Sequence, residues 1–153
     1  MNILDCKGIV RNNNERCKSL TCLLTGARLQ MIHIKRVYDK SLSSDNIGYT
    51  ILVDRLWPRG LRKDEVEVDL WLKDIAPSTQ LRRWFAHDPA KWAAFKQRYF
   101  AELNSKTDLV QIILEKAKNG PICLLYGARD ERHNNAIALK ALLDFRIGDM
   151  VTN

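Results

Sequence analysis

Three charged side chains follow a short apolar segment near the middle of the 153-residue chain. Asp54, Arg55 and Arg59 come after Tyr49 to Val53, a run of β-branched, aliphatic and aromatic residues that is typical of a buried strand. A carboxylate can act as a general acid or base, and planar guanidinium groups suit phosphate or carboxylate. We therefore predict catalysis or ligand orientation for Asp54 and anion binding for Arg55 and Arg59. The alternatives are a helix cap or structural ion pair for Asp54 and surface ion pairs for the arginines.

A second group of polar side chains follows another apolar run, Pro121 to Gly127, in the last third of the chain. This run is also typical of a buried strand, and a helical pattern follows it from Ala136. The start of a helix favours an anion, because its free N–H groups carry partial positive charge. The residues predicted to bind a ligand or, for Asp130, to act in catalysis are Tyr126, Arg129, Asp130, Asn134 and Asn135. The alternative for Asp130 and Asn134 is that they cap the last helix.

Further candidates lie between these two groups. Trp57 is predicted either to stack on a base or sugar or to pack between strand and loop. Ser78 is well placed to cap a helix, and Arg82 lies one turn further on, where it can point back at a ligand. His87 is a candidate catalytic acid or base, because imidazole titrates near neutral pH. His133 is considered for the same role, and the alternative for both histidines is an exposed or capping position.

The chain shows no pattern that indicates a metal or a cofactor. Its three histidines are far apart, and its four cysteines, at positions 6, 17, 22 and 123, include no C-x-x-C pair. A G-x-G-x-x-G motif and a P-loop are also absent from the sequence, which disfavours a dinucleotide oxidoreductase or an ATPase. We therefore predict no metal and no cofactor.

The segments around these candidates alternate between strand and helix patterns. Ile32 to Tyr38 has the partial alternation of a strand, and helices are predicted after the Ser78 cap, after Asp88-Pro89 and from Thr107. The second of these helices has one apolar face, formed by Trp92, Phe95, Tyr99 and Leu103. For Lys63 to Leu72 an extended piece and a helix both fit, and we favour an irregular segment followed by a helix.

Helices between two buried strands require long crossover connections, which join parallel strands. The predicted fold is therefore α/β, a single three-layer Rossmann-like domain with a small parallel sheet flanked by helices. Ligands of such sheets bind beyond the carboxyl ends of the strands. We accordingly expect the loop that contains Asp54 to face the loop that contains Asn134 across a cleft.

Several ordered motifs make the chain similar to a known family. They are Asp54-Arg-Leu-Trp-Pro-Arg-Gly60, Ala76-Pro-Ser78, Leu81-Arg82 with Trp84-Phe85 and His87, and Leu125-Tyr126-Gly-Ala-Arg-Asp-Glu-Arg-His-Asn134-Asn-Ala136. Together they resemble the YeaO-like branch of DUF488, a family of domains of unknown function, over about Met31 to Phe145. The resemblance implies a small, soluble, bacterial-type α/β domain with its polar motifs at one site. Distant members carry cysteines in the loop that corresponds to Ala128 to Asn135, and their absence here argues against a cysteine nucleophile or a thiolate-bound metal.

The charge and the apolar runs indicate a domain boundary and a compartment. Residues 1–30 hold five Lys/Arg against two Asp/Glu and show no sustained period, so we predict a poorly ordered extension or a segment outside the domain. Residues 31–153, with 20 Lys/Arg against 16 Asp/Glu, form the predicted DUF488-like domain.

No apolar run approaches the ~18 residues that span a bilayer. Cys123 lies in an apolar run, which favours a reducing compartment, and we predict a cytoplasmic location without membrane contact.

These observations predict that the protein binds a small anionic ligand, such as a nucleotide or a sugar phosphate, at the carboxyl ends of parallel strands. If the protein is an enzyme, Asp54 acts as acid or base in a hydrolysis or transfer, while Arg55, Arg59, Arg82 and Arg129 hold charge. The sequence leaves open whether any reaction occurs. The alternative is a regulator-type binding module for nucleic acid or protein, without catalysis, that uses Arg28 to Arg36 and Arg82-Arg83 together with exposed tryptophans. The ligand and the oligomeric state are not determined by the sequence.

Overall fold

The computed structural model describes residues 31–39 and 48–152, and within them four strands form one parallel sheet in the order β1-β4-β2-β3. The strands are β1 (Ile32–Arg36), β2 (Tyr49–Leu52), β3 (Leu70–Trp71) and β4 (Ile122–Tyr126). Leu124 of β4 is in register with Ile34 of β1 on one side and with Ile51 of β2 on the other. Because β4 has a neighbour on both sides and is covered on both faces, all five of its residues are buried. The predicted parallel arrangement of the two apolar runs is confirmed.

Four α-helices and two short 3-10 helices accompany the sheet. They are α1 (Thr79–Phe85), α2 (Trp92–Asn104), α3 (Thr107–Asn119) and α4 (Asn135–Thr152), with 3-10 helices at Lys73–Ile75 and Pro89–Lys91. The hydroxyl of Ser78 accepts the backbone N–H of Leu81 at 3.1 Å, and the carboxylate of Asp88 accepts that of Ala90 at 3.0 Å. Both predicted caps are therefore confirmed.

The helices pack on one face of the sheet and form the main core. The predicted apolar face of α2 supplies Phe95, Tyr99 and Leu103, all buried, against Ile51 and Leu124 of the sheet. The hydroxyl of Tyr99 donates to the carbonyl of Ile75 at 2.9 Å, so the polar end of this buried ring has a partner. This core holds the helices in place above the carboxyl ends of the strands.

The other face of the sheet carries a thinner layer. Leu52, Cys123 and Leu125 are buried there beneath the partly buried side chains of Trp57 and Trp71 and of the neighbouring Val68. Burial raises the pKa of the Cys123 thiol to about 11, which fits an uncharged core residue. A small parallel sheet with a layer on each face is consistent with the predicted three-layer α/β class.

The segment before α1 differs from the prediction. Leu70 and Trp71 do not begin a helix; they form the edge strand β3, in parallel register with Ile51 and Leu52 of β2. The carboxylate of Asp69 accepts hydrogen bonds from the backbone N–H and the hydroxyl of Thr50 at 2.7 and 2.8 Å, which holds the segment against β2. A two-residue strand is too short to produce a recognisable alternation, so only its pairing with β2 defines it.

Two predictions concern residues outside the described part of the chain. The predicted extension, residues 1–30, lies there, and so do residues 40–47 of the loop predicted from Asp39 to Gly48. Within the described residues, no helix combines the length and the apolar character that crossing a membrane requires.

Candidate functional site

A cleft of about 1120 Å³ lies at the carboxyl ends of β1, β2 and β4. Its floor is formed by the residues that follow the strands, including Asp54, Gly127 and Ala128, and one wall is formed by α1 with Arg82 and Arg83. The start of α4, at Asn134 and Asn135, closes another side. The cleft is therefore located where parallel α/β sheets place their ligands.

Asp54 joins the ends of the two strands that form the floor. One of its carboxylate oxygens accepts the backbone N–H of Gly127 at 2.7 Å, and the other accepts the amide of Asn135 at 3.2 Å. The same Asn135 amide donates to the carbonyl of Val53 at 2.9 Å, and the indole of Trp71 donates to the Asp54 carbonyl at 2.8 Å. Both carboxylate oxygens are thus engaged by the protein itself.

Burial is the main influence on the charge of Asp54. It raises the pKa of the carboxyl above the ordinary value of 3.8, while the hydrogen bonds from Gly127 and Asn135 and the charge of Arg82 act in the opposite direction. A Cβ at Gly127 would lie 3.2 Å from an Asp54 carboxylate oxygen, so the backbone approaches this side chain closely. The geometry indicates a structural connection between strand ends.

Six arginines line the cleft, against two carboxylates, Asp54 and Asp130. The arginines are Arg36, Arg55, Arg59, Arg82, Arg83 and Arg129. None of the six forms a salt bridge with another residue in the described ranges. The Nε atoms of Arg36 and Arg55 are buried and have no hydrogen-bond partner. Buried polar groups are usually paired, so these two Nε donors depart from the usual pattern of protein interiors.

The loop between β4 and α4 holds a second polar cluster. The carboxylate of Asp130 accepts the backbone N–H groups of Arg132 and His133 at 2.8 and 2.9 Å. Its other oxygen lies 3.1 Å from Nδ1 of His133, whose ring contacts Trp92 edge-on at 5.4 Å. These hydrogen bonds lower the pKa of the Asp130 carboxyl. Asn134 caps α4, because its side-chain oxygen accepts the N–H of Ile137 at 3.0 Å.

The wall formed by α1 is fixed at both ends. At its start, Glu102 of α2 accepts both the backbone N–H and the hydroxyl of Ser78, at 2.8 and 2.5 Å. At its end, Ala86 and His87 have φ angles of 47° and 56°, and His87 lines the cleft. Two successive left-handed residues without a glycine are strained, and such strain is common next to functional sites.

The structure brings together nine of the twelve residues predicted for the site. The residues that line the cleft are Asp54, Arg55, Arg59, Arg82, His87, Arg129, Asp130, Asn134 and Asn135. Trp57, Ser78 and Tyr126 do not line it. The indole of Trp57 donates to the Leu61 carbonyl at 2.7 Å, and its ring contacts Trp71 on the opposite face of the sheet. Ser78 caps α1, and Tyr126 is buried in the core.

The anion site predicted from the sequence left out Arg36, Arg83 and Tyr38, which also line the cleft, and the two arginines were named only for the alternative binding module. Arg36 is the last residue of β1, so the rule that ligands bind at strand ends would have identified it if the end of that strand had been placed correctly. Arg83 and Tyr38 carry no comparable signal.

Among the described residues, no group of three or more histidine, cysteine, aspartate or glutamate side chains is arranged to hold a metal ion.

Comparison with known proteins gives a family and several uncharacterized relatives. Residues 31–149 match the sequence model of DUF488-N3i, described as the inactive DUF488-N3 subclade. The uncharacterized protein YeaO of Escherichia coli is 44% identical over 108 residues, which cover 71% of this chain and 92% of YeaO. Uncharacterized proteins of Mycobacterium bovis and Mycobacterium tuberculosis are 41% identical over 81 residues, which cover 53% of this chain and 67% of each relative. No solved structure matches the chain significantly.

Proposed function

This chain belongs to the DUF488 family, in the subclade described as inactive, and from that premise we propose that it binds a small anionic ligand without turning it over. The resemblance noted in the sequence is confirmed by the match over residues 31–149. The ligand class that we propose is a nucleotide or a sugar phosphate. The observation that carries the proposal is the pair of buried, unpartnered Nε atoms of Arg36 and Arg55.

The positions of these two arginines support an anion at the end of the central strand. Arg36 ends β1 and Arg55 follows β2, and β4 lies between those strands. An anion above Gly127, just beyond β4, would therefore have a guanidinium group on either side. Charge-assisted bonds from the guanidinium groups to a phosphate would stabilise two arginines whose buried Nε donors the folded chain leaves without a partner.

The state of the two carboxylates supports binding without catalysis. A general base must have an acceptor site within hydrogen-bond reach of the proton that it removes, and bonds from the protein reduce the number of such sites on a carboxylate. Asp54 is engaged by Gly127 and Asn135, and Asp130 is engaged by Arg132 and His133. The roles that we propose for Asp54 and Asp130 are accordingly to hold the loops of the cleft, while the arginines and His87 contact the ligand.

The size and lining of the cleft support a ligand larger than a single phosphate. The volume of about 1120 Å³ is slightly larger than that of ordinary ligand pockets, which span about 300–1000 Å³. Leu56, which is 67% exposed, adds apolar surface to the cleft, and the buried rings of Phe85 and Phe95 lie directly behind its lining. This combination suits an anionic group joined to a sugar or a base.

The test is a thermal-shift screen of nucleotides and sugar phosphates, followed by titration of each hit. Arg36→Gln and Arg55→Gln should weaken a hit by about 10- to 100-fold each, because each removes a charge-assisted contact. Arg62→Gln is the matched control, since Arg62 is exposed, pairs with Asp64 and does not line the cleft. Equal affinities for all four proteins, or the absence of any hit in the screen, would contradict the proposal.

A second candidate function, a nucleic-acid or protein binding module, is favoured by the surface beside the cleft. Arg82 and Arg83 are exposed next to each other on α1, and the guanidinium of Arg98 lies 3.9 Å from the ring centre of Trp84. A nucleic-acid complex that involves 6–10 phosphates should lose about 10³–10⁵ in affinity between about 50 and 200 mM salt. A small-molecule complex should show a much weaker salt dependence, so one salt titration separates the two candidates.

The proposal includes a location in a reducing compartment such as the cytoplasm. Cys123 is a free, buried thiol, which supports this part. Surface labelling of intact cells that express a tagged chain tests this location, and labelling of the chain outside the cell would contradict it.

A further inference from the structure

One histidine of the cleft is held in a single orientation. Nδ1 of His133 lies 3.1 Å from a carboxylate oxygen of Asp130, and the ring contacts Trp92 edge-on with an angle of 80° between the planes. His133 lines the cleft, although its side chain is only 25% exposed. The contact with Asp130 and the contact with Trp92 together restrict the rotation of the ring.

The partner of Nδ1 determines which nitrogen of His133 carries the proton. Asp130 accepts hydrogen bonds from the backbone of Arg132 and His133, which lower the pKa of its carboxyl and keep it ionised. An ionised carboxylate only accepts, so Nδ1 must donate. In the neutral ring Nε2 is then unprotonated, and it is a hydrogen-bond acceptor.

Nε2 of His133 has no hydrogen-bond partner among the described residues, and it is not one of the fully buried polar atoms. Each carboxylate oxygen of Asp54 and Asp130 already accepts at least one bond from the protein. When an anionic ligand displaces water from the cleft, the lone pair of Nε2 loses its hydration. It needs a donor from the ligand, because a buried acceptor without a partner weakens binding.

Building on the proposed function, we propose that the ligand is a phosphorylated sugar, either free or as part of a nucleotide, and that Nε2 of His133 accepts a hydrogen bond from a sugar hydroxyl. The arginines at the strand ends bind the phosphate, and His133 recognises the sugar. Anions without a sugar hydroxyl, such as a 2′,3′-dideoxynucleotide, satisfy the arginines but leave Nε2 unpaired. The cleft therefore prefers the sugar-bearing anion.

The test uses two probes of equal charge with the full chain, adenosine 5′-monophosphate and its 2′,3′-dideoxy analogue, titrated by calorimetry. The unmodified protein should bind the hydroxylated probe about 5- to 10-fold more tightly, the effect of one neutral hydrogen bond. His133→Phe keeps a ring against Trp92 but removes the acceptor, and it should abolish this preference. Ribose 5-phosphate, titrated in parallel, shows whether a free sugar phosphate suffices or a nucleotide is required.

Asp130→Asn provides the sharpest variant. The oxygen of the substituted side chain can still accept the backbone N–H groups, while its amide donates to Nδ1 and forces the proton onto Nε2. Because a sugar hydroxyl can also accept from Nε2–H, the discriminating probe for this variant is the 2′,3′-di-O-methyl analogue, whose oxygens can only accept, and its affinity relative to the hydroxylated probe should rise in Asp130→Asn. His33→Phe, which changes an exposed histidine of β1 outside the cleft, should bind both probes like the unmodified protein.

The outcomes separate this inference from the proposed function. If neither probe, nor ribose 5-phosphate, nor any other nucleotide or sugar phosphate of the thermal-shift screen binds, both proposals fail. If the probes bind through Arg36 and Arg55 but the unmodified protein does not distinguish them, the proposed function stands and the role of His133 is wrong. Equal weakening of both probes by His133→Phe would mean that the ring donates to the phosphate, and this result would also overturn the inference. Thermal unfolding of each variant confirms that it is folded.

Discussion

At the scale of single residues, Asp54 shows how a strand-end carboxylate can serve structure. Its position after an apolar run predicted a place at the cleft, and it does line the cleft. The sequence could not reveal that its oxygens are taken by Gly127 and Asn135, which lie 73 and 81 residues further along the chain. Such partners are brought together only when the strand ends become neighbours.

The first prediction concerns pH. Because burial raises the folded-state pKa of Asp54 above 3.8, the folded chain holds this proton more tightly than the unfolded chain does. The contribution of Asp54 to stability is therefore full below pH 3.8 and is lost as the pH rises through the folded-state pKa. As the pH rises through this range, the free energy of unfolding of the unmodified protein should fall relative to that of Asp54→Asn. Urea unfolding at a series of pH values measures it, and a difference that stays constant or shifts the other way would contradict the prediction.

The second prediction concerns the close approach of backbone to Asp54. Gly127→Ala places a Cβ 3.2 Å from an Asp54 oxygen and 3.7 Å from Tyr38 and Pro58, so we expect a loss of about 1–3 kcal/mol in the free energy of unfolding. Gly148→Ala is the control, because its Cβ meets nothing within 4 Å and alanine favours the helix α4 by about 0.5–1 kcal/mol. Denaturant unfolding should show opposite signs for the two variants. If Gly127→Ala leaves the free energy of unfolding unchanged, the floor of the cleft can relax around the added Cβ.

At the scale of elements, the ends of α1 illustrate what local signals can and cannot predict. The cap at Ser78 follows from a hydroxyl placed three residues before Leu81, and the structure confirms it. The contact between Ser78 and Glu102 joins α1 to α2 across 24 residues and has no local signal. The left-handed pair Ala86 and His87 also has none that the sequence makes visible, because a positive φ is uncommon for any residue with a side chain.

The third prediction tests the strain at the end of α1. Ala86→Gly should raise the free energy of unfolding by about 0.5–1 kcal/mol, because glycine adopts a positive φ without the steric cost that alanine has there. The control, Ala101→Gly in α2, is exposed and helical and should lower it by about 1 kcal/mol. Thermal unfolding compares the two. A destabilising Ala86→Gly would show that the turn before His87 is not strained.

At the scale of the whole molecule, the strand order decides which side chains share the cleft. β4 is the last strand in sequence and lies between β1 and β2, so its loop reaches the residues that follow both. Arg36, Asp54 and Arg129 thereby meet at one place, although they lie in three separate parts of the chain. An arginine-lined cleft results from this order even though the net charge of the chain is a modest +7.

The fourth prediction concerns the boundary of the domain. The N–H of Ile122 donates to the Met31 carbonyl at 3.1 Å, so the sheet uses the backbone from Met31 onward. A chain that begins at Met31 should fold with a thermal midpoint within about 2 °C of the full chain. A chain that begins at Val37 lacks β1, exposes one side of β4 and should not unfold cooperatively. A large loss of stability on removal of residues 1–30 would instead show that they contribute to the core.

The sequence by itself determined the elements whose signals are local: the apolar runs of β2 and β4, the caps at Ser78 and Asp88, and the apolar face of α2. It also placed most of the cleft residues, because side chains that follow parallel strands must gather at one edge of the sheet. The tertiary structure alone decided that Leu70 and Trp71 pair with β2, that Trp57 packs on the far face, and that His133 is oriented by Asp130 and Trp92. The physical reason is the distance along the chain over which each kind of interaction acts. Periodicity and capping depend on neighbours within a few residues, whereas pairing, burial and the direction of a side chain depend on segments that only packing brings into contact.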